Sequence, residues 1–175
     1  MPNYKRYYSN EYTNIFITMV TNKRQPLLID NIQLLRFAFQ ETLKKYKFKI
    51  IAICVLPDHI HMIIEEPELK NYSNIISSIK KVFSHNINKI YKNNELSESR
   101  IKRKETGIWQ RRFYEHTIRD EKDFCRHLDY IHYNPYKHYK IAPAKWEYSS
   151  FKKYVKMGIY PDNWCDFDNI DIDIE

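Results

Sequence analysis

Ile50-Ile51-Ala52-Ile53-Cys54-Val55-Leu56-Pro57-Asp58-His59-Ile60-His61-Met62-Ile63-Ile64 reads as two strands joined by a tight turn. Ile50 to Leu56 is an unbroken apolar run of strand length, and Pro57-Asp58 is a turn signal. From His59 to Glu65 the chain resumes as a second strand, the hairpin partner of the first. Side chains two apart on a strand share a face. His59 and His61 therefore stand side by side, while Ile60, Met62 and Ile64 point the other way and can be buried. Two adjacent imidazoles are a workable grip on a divalent metal.

Outward from this hairpin, the spacing predicts a strand over Glu11–Val20, with Ile15, Ile17 and Met19 on one face. A helix is expected from about Pro26 to Tyr46, with Leu28, Ile32, Leu35, Phe39, Leu43 and Tyr46 as its apolar stripe. A second helix is expected over about Ser73–Tyr91. Its buried face carries Ile76, Ile79, Phe83, Ile87 and Ile90, and its polar face Lys80, Lys81, Asn88 and Lys92. Lys92 to Thr106 reads as an exposed loop and Ile108 to Ile118 as a fourth strand. A third helix opens at Asp120, which has the chemistry of an N-cap, and Pro135 is expected to stop it. Tyr148 to Met157 is a candidate short last helix. The order β-α-β-β-α-β-α predicts an α/β (α+β) fold, a ferredoxin-like antiparallel sheet with two helices on one face. The third helix is then placed over part of the other face, near the His59/His61 strand.

The length, 175 residues, suits one domain with a full core. The net charge is +7, unevenly spread. Of the 22 Asp and Glu, six lie in the acidic stretch 161–175, which has no Lys or Arg; the remaining 16 stand against all 29 Lys and Arg, so the body 1–160 carries +13. Such a body attracts polyanions, nucleic acid first among them. The acidic tail is either a solubilising segment or a competitor for the basic surface. Only 2 Gly argue against a glycine-rich phosphate loop. The three cysteines, Cys54, Cys125 and Cys165, are too few and too scattered for a disulfide framework. No apolar run is long enough to cross a membrane. The expected compartment is the reducing cytoplasm, at the nucleoid if the partner is DNA.

On the helix expected from Asp120 to Tyr133, Phe124, Leu128 and Ile131 form an apolar stripe, with His127, Tyr130 and Asn134 on the stripe beside it. Docking the first stripe on the sheet brings the second toward His59 and His61. A tyrosine oxygen can attack phosphorus and form a covalent link, and a metal beside it stabilises charge on the phosphate. Two His and an amide oxygen leave coordination positions open, a set suited to Mn²⁺, with Mg²⁺ the abundant alternative. Arg6, Lys80, Lys81, Arg111, Arg112 and Arg119 are candidates for contacts to DNA phosphates, with plain solvated charge the alternative for each. Trp109 is a candidate base-stacking platform or a core residue. At least one of His116 and Glu115 is expected to be structural; His127 is a candidate to tune the tyrosine or touch phosphate, with a surface or capping role the expected alternative.

These segments together resemble the single-tyrosine transposases of the HUH superfamily, and within it the REP-associated tyrosine transposases. The resemblance runs through Tyr4-Lys5-Arg6-Tyr7-Tyr8, Leu56–His61, Ile108-Trp109-Gln110-Arg111-Arg112-Phe113-Tyr114-Glu115-His116, Asp129-Tyr130-Ile131-His132-Tyr133-Asn134-Pro135 and Trp146-Glu147-Tyr148-Ser149-Ser150. It implies His59 and His61 as metal ligands, Tyr130 as nucleophile and Asn134 as third ligand. The implied activity is Mg²⁺- or Mn²⁺-dependent cutting and rejoining of single-stranded DNA near hairpins through a 5′-phosphotyrosine link. One departure stands out: the family often has a Gly a few residues after Asn-Pro, and Tyr136-Lys137-His138-Tyr139 has none.

Two other readings use the same residues. A non-catalytic single-stranded nucleic-acid-binding module would use the sheet and the basic aromatic surface without needing Tyr130, which is one of 15 tyrosines. A metal-dependent hydrolase of a small phosphate would need an enclosed pocket. Monomer and homodimer are both compatible with the sequence, and a dimer allows Tyr130 of one copy to serve the metal site of the other.

Overall fold

The computed structural model describes residues 13–66, 71–91 and 96–165. Four strands, β1 (Thr13–Val20), β2 (Lys49–Val55), β3 (His59–Glu66) and β4 (Tyr114–Thr117), form one antiparallel sheet in the order β2-β3-β1-β4. This is the ferredoxin-like arrangement expected from the element order. β1 carries Ile15, Ile17 and Met19 on one face, as its alternation predicts, and Phe16, Thr18 and Val20 on the other. Central β3 does the same with Ile60, Met62 and Ile64 against His59, His61 and Ile63.

The first face is covered by α1 (Ile32–Leu43) and α2 (Tyr72–Asn86), which bury Leu35, Ala38, Phe39, Ile75, Ile76, Ile79 and Phe83 on it. The second face is covered by α4 (Glu121–Tyr139) and α5 (Phe151–Lys156) through Leu128, Ile131, Phe151 and Tyr154, with Tyr160 beyond them. A five-residue helix, α3 (Glu98–Lys102), interrupts the expected loop. The exposed edge of β2 is closed by the 148–150 segment: Val55 N donates to Tyr148 O and Ser150 N to Ile53 O, each at 2.8 Å. Pairing the edge removes a template for aggregation.

Several expected boundaries move. The first helix starts at Ile32, because Leu27 and Leu28 are buried in turns, with Leu28 N bonded to Pro57 O. Its stripe is Leu35, Ala38, Phe39 and Thr42; a chain of i+4 steps drifts 40° each time, which carries Leu43 out to solvent. The second helix stops at Asn86, Ile87 turns extended, and Ile90 falls exposed. The expected fourth strand is split. Thr21 pairs with Trp109 and Thr18 with Tyr114, so Met19 and Val20 face Gln110 to Phe113; Gln110 N still donates to Val20 O at 2.9 Å, and the residues after it bow away from the ladder. Trp109 is a core residue, its ring against Phe83.

The largest correction concerns Pro135. It sits inside α4, which runs on to Tyr139. Asp120 caps the helix as expected, its carboxylate accepting from Asp123 N at 2.8 Å. Proline removes the donor that would reach the Ile131 carbonyl, but packing on the sheet and the 143–160 segment holds both sides of the helix in line. The helix ends at Lys140, in the left-handed region with φ 56°, where a glycine would be relaxed. Replacing Lys140 with Gly is expected to raise stability by about 1 kcal/mol, less the exposed contact of its ammonium with the Tyr136 ring. A denaturation midpoint that does not rise would show that this turn is unstrained.

Residues 1–12 and 166–175 lie outside the described residues, and with them Arg6, the basic-aromatic start and most of the acidic tail. The tail's first residues are placed: Trp164 stacks on Phe151 and Tyr160, and Cys165 is buried.

Candidate active site

A cleft of about 660 Å³ opens between the α4-facing side of the sheet and α4 itself. From the sheet it takes Phe16, Thr18 and Val20 of β1, His59 and His61 of β3, and Tyr114 and His116 of β4; from α4 it takes Asp123, Arg126, His127, Tyr130, Lys137 and His138. Arg24 and Arg119 complete the lining, so four Arg and Lys face it against a single acid, Asp123.

His59 and His61 lie with ring centroids 4.9 Å apart. Each has its Nδ1 occupied. His59 Nδ1 donates to the Asp58 carboxylate at 2.5 Å, and Arg24 holds the other carboxylate oxygen at 3.0 Å. His61 Nδ1 lies 2.8 Å from Thr18 Oγ1. A donor at Nδ1 leaves Nε2 as the lone-pair nitrogen, the usual preparation of a metal-binding histidine; the Asp58 carboxylate imposes it on His59, and the Thr18 hydroxyl is able to accept the same hydrogen from His61. Neither Nε2 has a hydrogen-bond partner among the described residues. Burial is the main cause keeping His61 well below the usual imidazole range, with His59, His138 and Lys137 adding to it. Burial also lowers His59, partly offset by Asp58. Both rings are thus neutral and able to coordinate near neutral pH.

Tyr130 stands with its ring centroid 5.1 Å from that of His61, edge to face, and Phe16 packs on it from the sheet. Lys137, two helical turns on, places its ammonium 5.1 Å from the Tyr130 ring. Burial raises the Tyr130 hydroxyl above its ordinary range, while the Asn134 side chain and Arg24 act the other way. Asn134 is fully buried behind the cleft lining. Its Nδ2 donates to the Tyr130 carbonyl at 2.6 Å, and its Oδ1 has no hydrogen-bond partner. The third ring in the cleft beside the pair is His138, 5.2 Å from His59 between centroids.

Sequence reasoning missed His138, and also Arg24, Arg126 and Lys137. Arg126, Tyr130 and Lys137 share a face at i, i+4 and i+11, a pattern legible only if α4 passes through Pro135. Arg24 enters from a turn at φ 53° that no period announces. Of the proposed phosphate contacts, Arg119 lines the cleft. Lys80 instead donates to Gln110 O at 2.9 Å between the Trp109 and Phe113 rings, and burial lowers it to about 8. Arg111 pairs with Glu105. Lys81 and Arg112 are exposed outside the cleft.

The profile of the family described as transposase, IS200-like, matches residues 9–134. The chain belongs to this transposase family. A Haemophilus influenzae protein described as a REP-associated tyrosine transposase is 42% identical over 166 residues, covering 94% of this chain and 93% of that one. A REP-associated tyrosine transposase of Escherichia coli is 37% identical over 167 residues, covering 94% and 92%. A solved structure of a REP-associated tyrosine transposase bound to a REP hairpin superposes with a TM-score of 0.74 at 34% identity, covering 100% of this chain and 98% of that one. The tyrosine transposases named in these comparisons are enzymes that act on DNA, and this chain is an enzyme of that class. No helix among the described residues is long and apolar enough to cross a membrane.

The Asp58 carboxylate gives this transposase a test of how its histidines are oriented. Asp58→Ala removes the acceptor that fixes His59 and releases Arg24. If His59 and His61 hold a divalent ion, its affinity is expected to fall 10- to 100-fold, roughly the usual cost of losing such a partner. Titration calorimetry with Mn²⁺ checks this; unchanged affinity would mean that His59 is held by packing alone.

Proposed function

We propose that the chain cuts and rejoins single-stranded DNA beside hairpins, with Tyr130 as nucleophile and a divalent ion, Mg²⁺ or Mn²⁺, at His59 and His61. The observation that carries this reading is the pairing of two histidines, each with Nδ1 engaged and Nε2 uncommitted, with a tyrosine in one cationic cleft. The donor set suits such an ion, with Asn134 Oδ1, buried and without a hydrogen-bond partner, as the third donor that the resemblance implies. When bound, the ion polarises the phosphate and offsets charge in the transition state.

The chain's own residues do the rest. Arg24, Arg119, Arg126 and Lys137 draw the DNA backbone into the cleft. The Asn134 side chain and Arg24 favour the ionised tyrosine against the effect of burial. The Tyr130 oxygen attacks phosphorus as its proton leaves; an O–P bond forms, the P–O3′ bond breaks, and the 3′ oxygen departs as a hydroxyl. The 5′-phosphotyrosine conserves the phosphodiester bond energy, so a 3′-OH attacking in reverse reseals the strand. Tyr130 lies beside His61 of the same chain, which supports a site complete within one copy.

Hairpin-bearing single-stranded oligonucleotides incubated with the protein are expected to be nicked with Mn²⁺ or Mg²⁺ and left intact with EDTA. DNA that is bound tightly but never cut would favour the non-catalytic binding module.

A further inference from the structure

The cleft holds a second group of metal-type side chains that the proposed chemistry does not use. His116 of β4 and Asp123 and His127 of α4 each offer one ligand atom, all within 4.8 Å of one another. His116 Nε2 lies 2.7 Å from Asp123 Oδ2, and His127 Nδ1 lies 3.1 Å from Asp123 Oδ1 and 2.8 Å from the Asp123 carbonyl. The two imidazoles stack nearly parallel, centroids 4.6 Å apart. We propose that His116, Asp123 and His127 form a second divalent-metal site, separate from the one at His59 and His61.

The chemistry of the three side chains supports it. Two histidines and one carboxylate are a recurrent set for Zn²⁺, Mn²⁺ and Fe²⁺, and they leave positions open. Asp123 supplies the formal negative charge that the His59/His61 pair lacks. Its carboxyl is held below the ordinary range, against burial, by His116, the Arg119 N–H and His127. The bond from His127 Nδ1 to the Asp123 carbonyl fixes the ring and leaves Nε2 uncommitted, the same preparation seen at His59 and His61. An ion held by His116 Nε2 would take the place of that nitrogen's hydrogen bond to Asp123. Arg119 and Arg126 repel a cation here, as Arg24 and Lys137 do at His59 and His61.

The sites share no ligand. The Phe16 ring separates them, 5.8 Å from His61 on one side and 4.7 Å from His127 on the other. An ion on the β4 side would therefore not bridge the reacting phosphate with the first. Its open face meets the same cleft, where it would take oxygens of a neighbouring phosphate and fix the register of the strand; that last step rests on the cleft being the DNA site.

Zn²⁺ alone, measured by equilibrium dialysis and metal analysis on the full chain, tests the site without DNA or activity. Wild type is expected to hold two equivalents. His116→Gln and His127→Gln are expected to hold one each, as is His59→Ala combined with His61→Ala. Glutamine at 116 keeps an N–H for Asp123 and so preserves the fold. Zinc-soaked wild-type crystals should show anomalous density between His116, Asp123 and His127. The proposal is overturned if wild type holds at most one equivalent, if stoichiometry is unchanged in both glutamine variants, or if anomalous density appears at His59/His61 alone. Cleavage assays with Mg²⁺ remain a separate test of the main reading.

Discussion

Replacing His61 with alanine is expected to lower metal-dependent cleavage by roughly 1,000-fold or more while leaving DNA binding nearly intact. A catalytic ion stabilises a phosphoryl transition state by several kcal/mol, and each 1.36 kcal/mol is a factor of about ten in rate. His61 is the more committed of the two rings, sandwiched among Phe16, Tyr130 and His59 with its Nδ1 on Thr18. Its loss removes one of the paired nitrogens and opens space beside Tyr130. The cleft cations proposed to draw DNA in, Arg24, Arg119, Arg126 and Lys137, are untouched, so affinity for a single strand should change little. Parallel measurement of cleavage rate and DNA affinity separates the two. A loss of binding equal to the loss of rate would make His61 a structural residue of the cleft.

The second large effect is on stability. Acidification from pH 7.5 to 4.5 is expected to destabilise the fold by several kcal/mol. His132 is fully buried, donating or accepting at Ser150 Oγ at 2.9 Å, and burial lowers it to about 3. In the unfolded chain it titrates near 6.5. Between those values the unfolded state binds the extra proton, so native stability falls as pH drops through the window from 6.5 to about 3. His132 alone accounts for roughly 2–3 kcal/mol of loss by pH 4.5. His59, His61, His127 and His138 are lowered by burial and add to it with the same sign. Asp129, raised by burial, opposes it in part. Denaturant melts at several pH values check the slope. In His132→Gln the slope should flatten, whatever the midpoint; an unchanged slope would place the destabilisation elsewhere.

Much of this architecture was legible because period-2 alternation is local and strict. Ile15, Ile17 and Met19, and Ile60, Met62 and Ile64, announce their buried face, and His59 and His61 are left on the other by the same rule. Asp120 announces the start of α4. What could not be read locally was where tertiary packing overrides a local signal. Pro135 is a helix stop by its own chemistry, yet the surrounding layers carry α4 through it, and only then do Lys137 and His138 reach the cleft. Arg111 to Phe113 look like strand, but Lys80 holding the Gln110 carbonyl and Arg111 pairing with Glu105 accompany their departure from the ladder. Arg119 was found from charge alone, whereas Arg24 depends on a turn with no periodic signature.

The central claim is that Tyr130 carries the DNA during the reaction. Protein incubated with 3′-labelled hairpin-bearing single strands and Mn²⁺ should, on a denaturing gel, give a labelled protein band. The label belongs at the 3′ end because a 5′-phosphotyrosine link would keep the downstream fragment on the protein. Digestion and mass mapping should place the adduct on Tyr130, and Tyr130→Phe and EDTA should each abolish it. Metal-dependent nicking without an adduct, or an adduct that persists in Tyr130→Phe, would contradict the account.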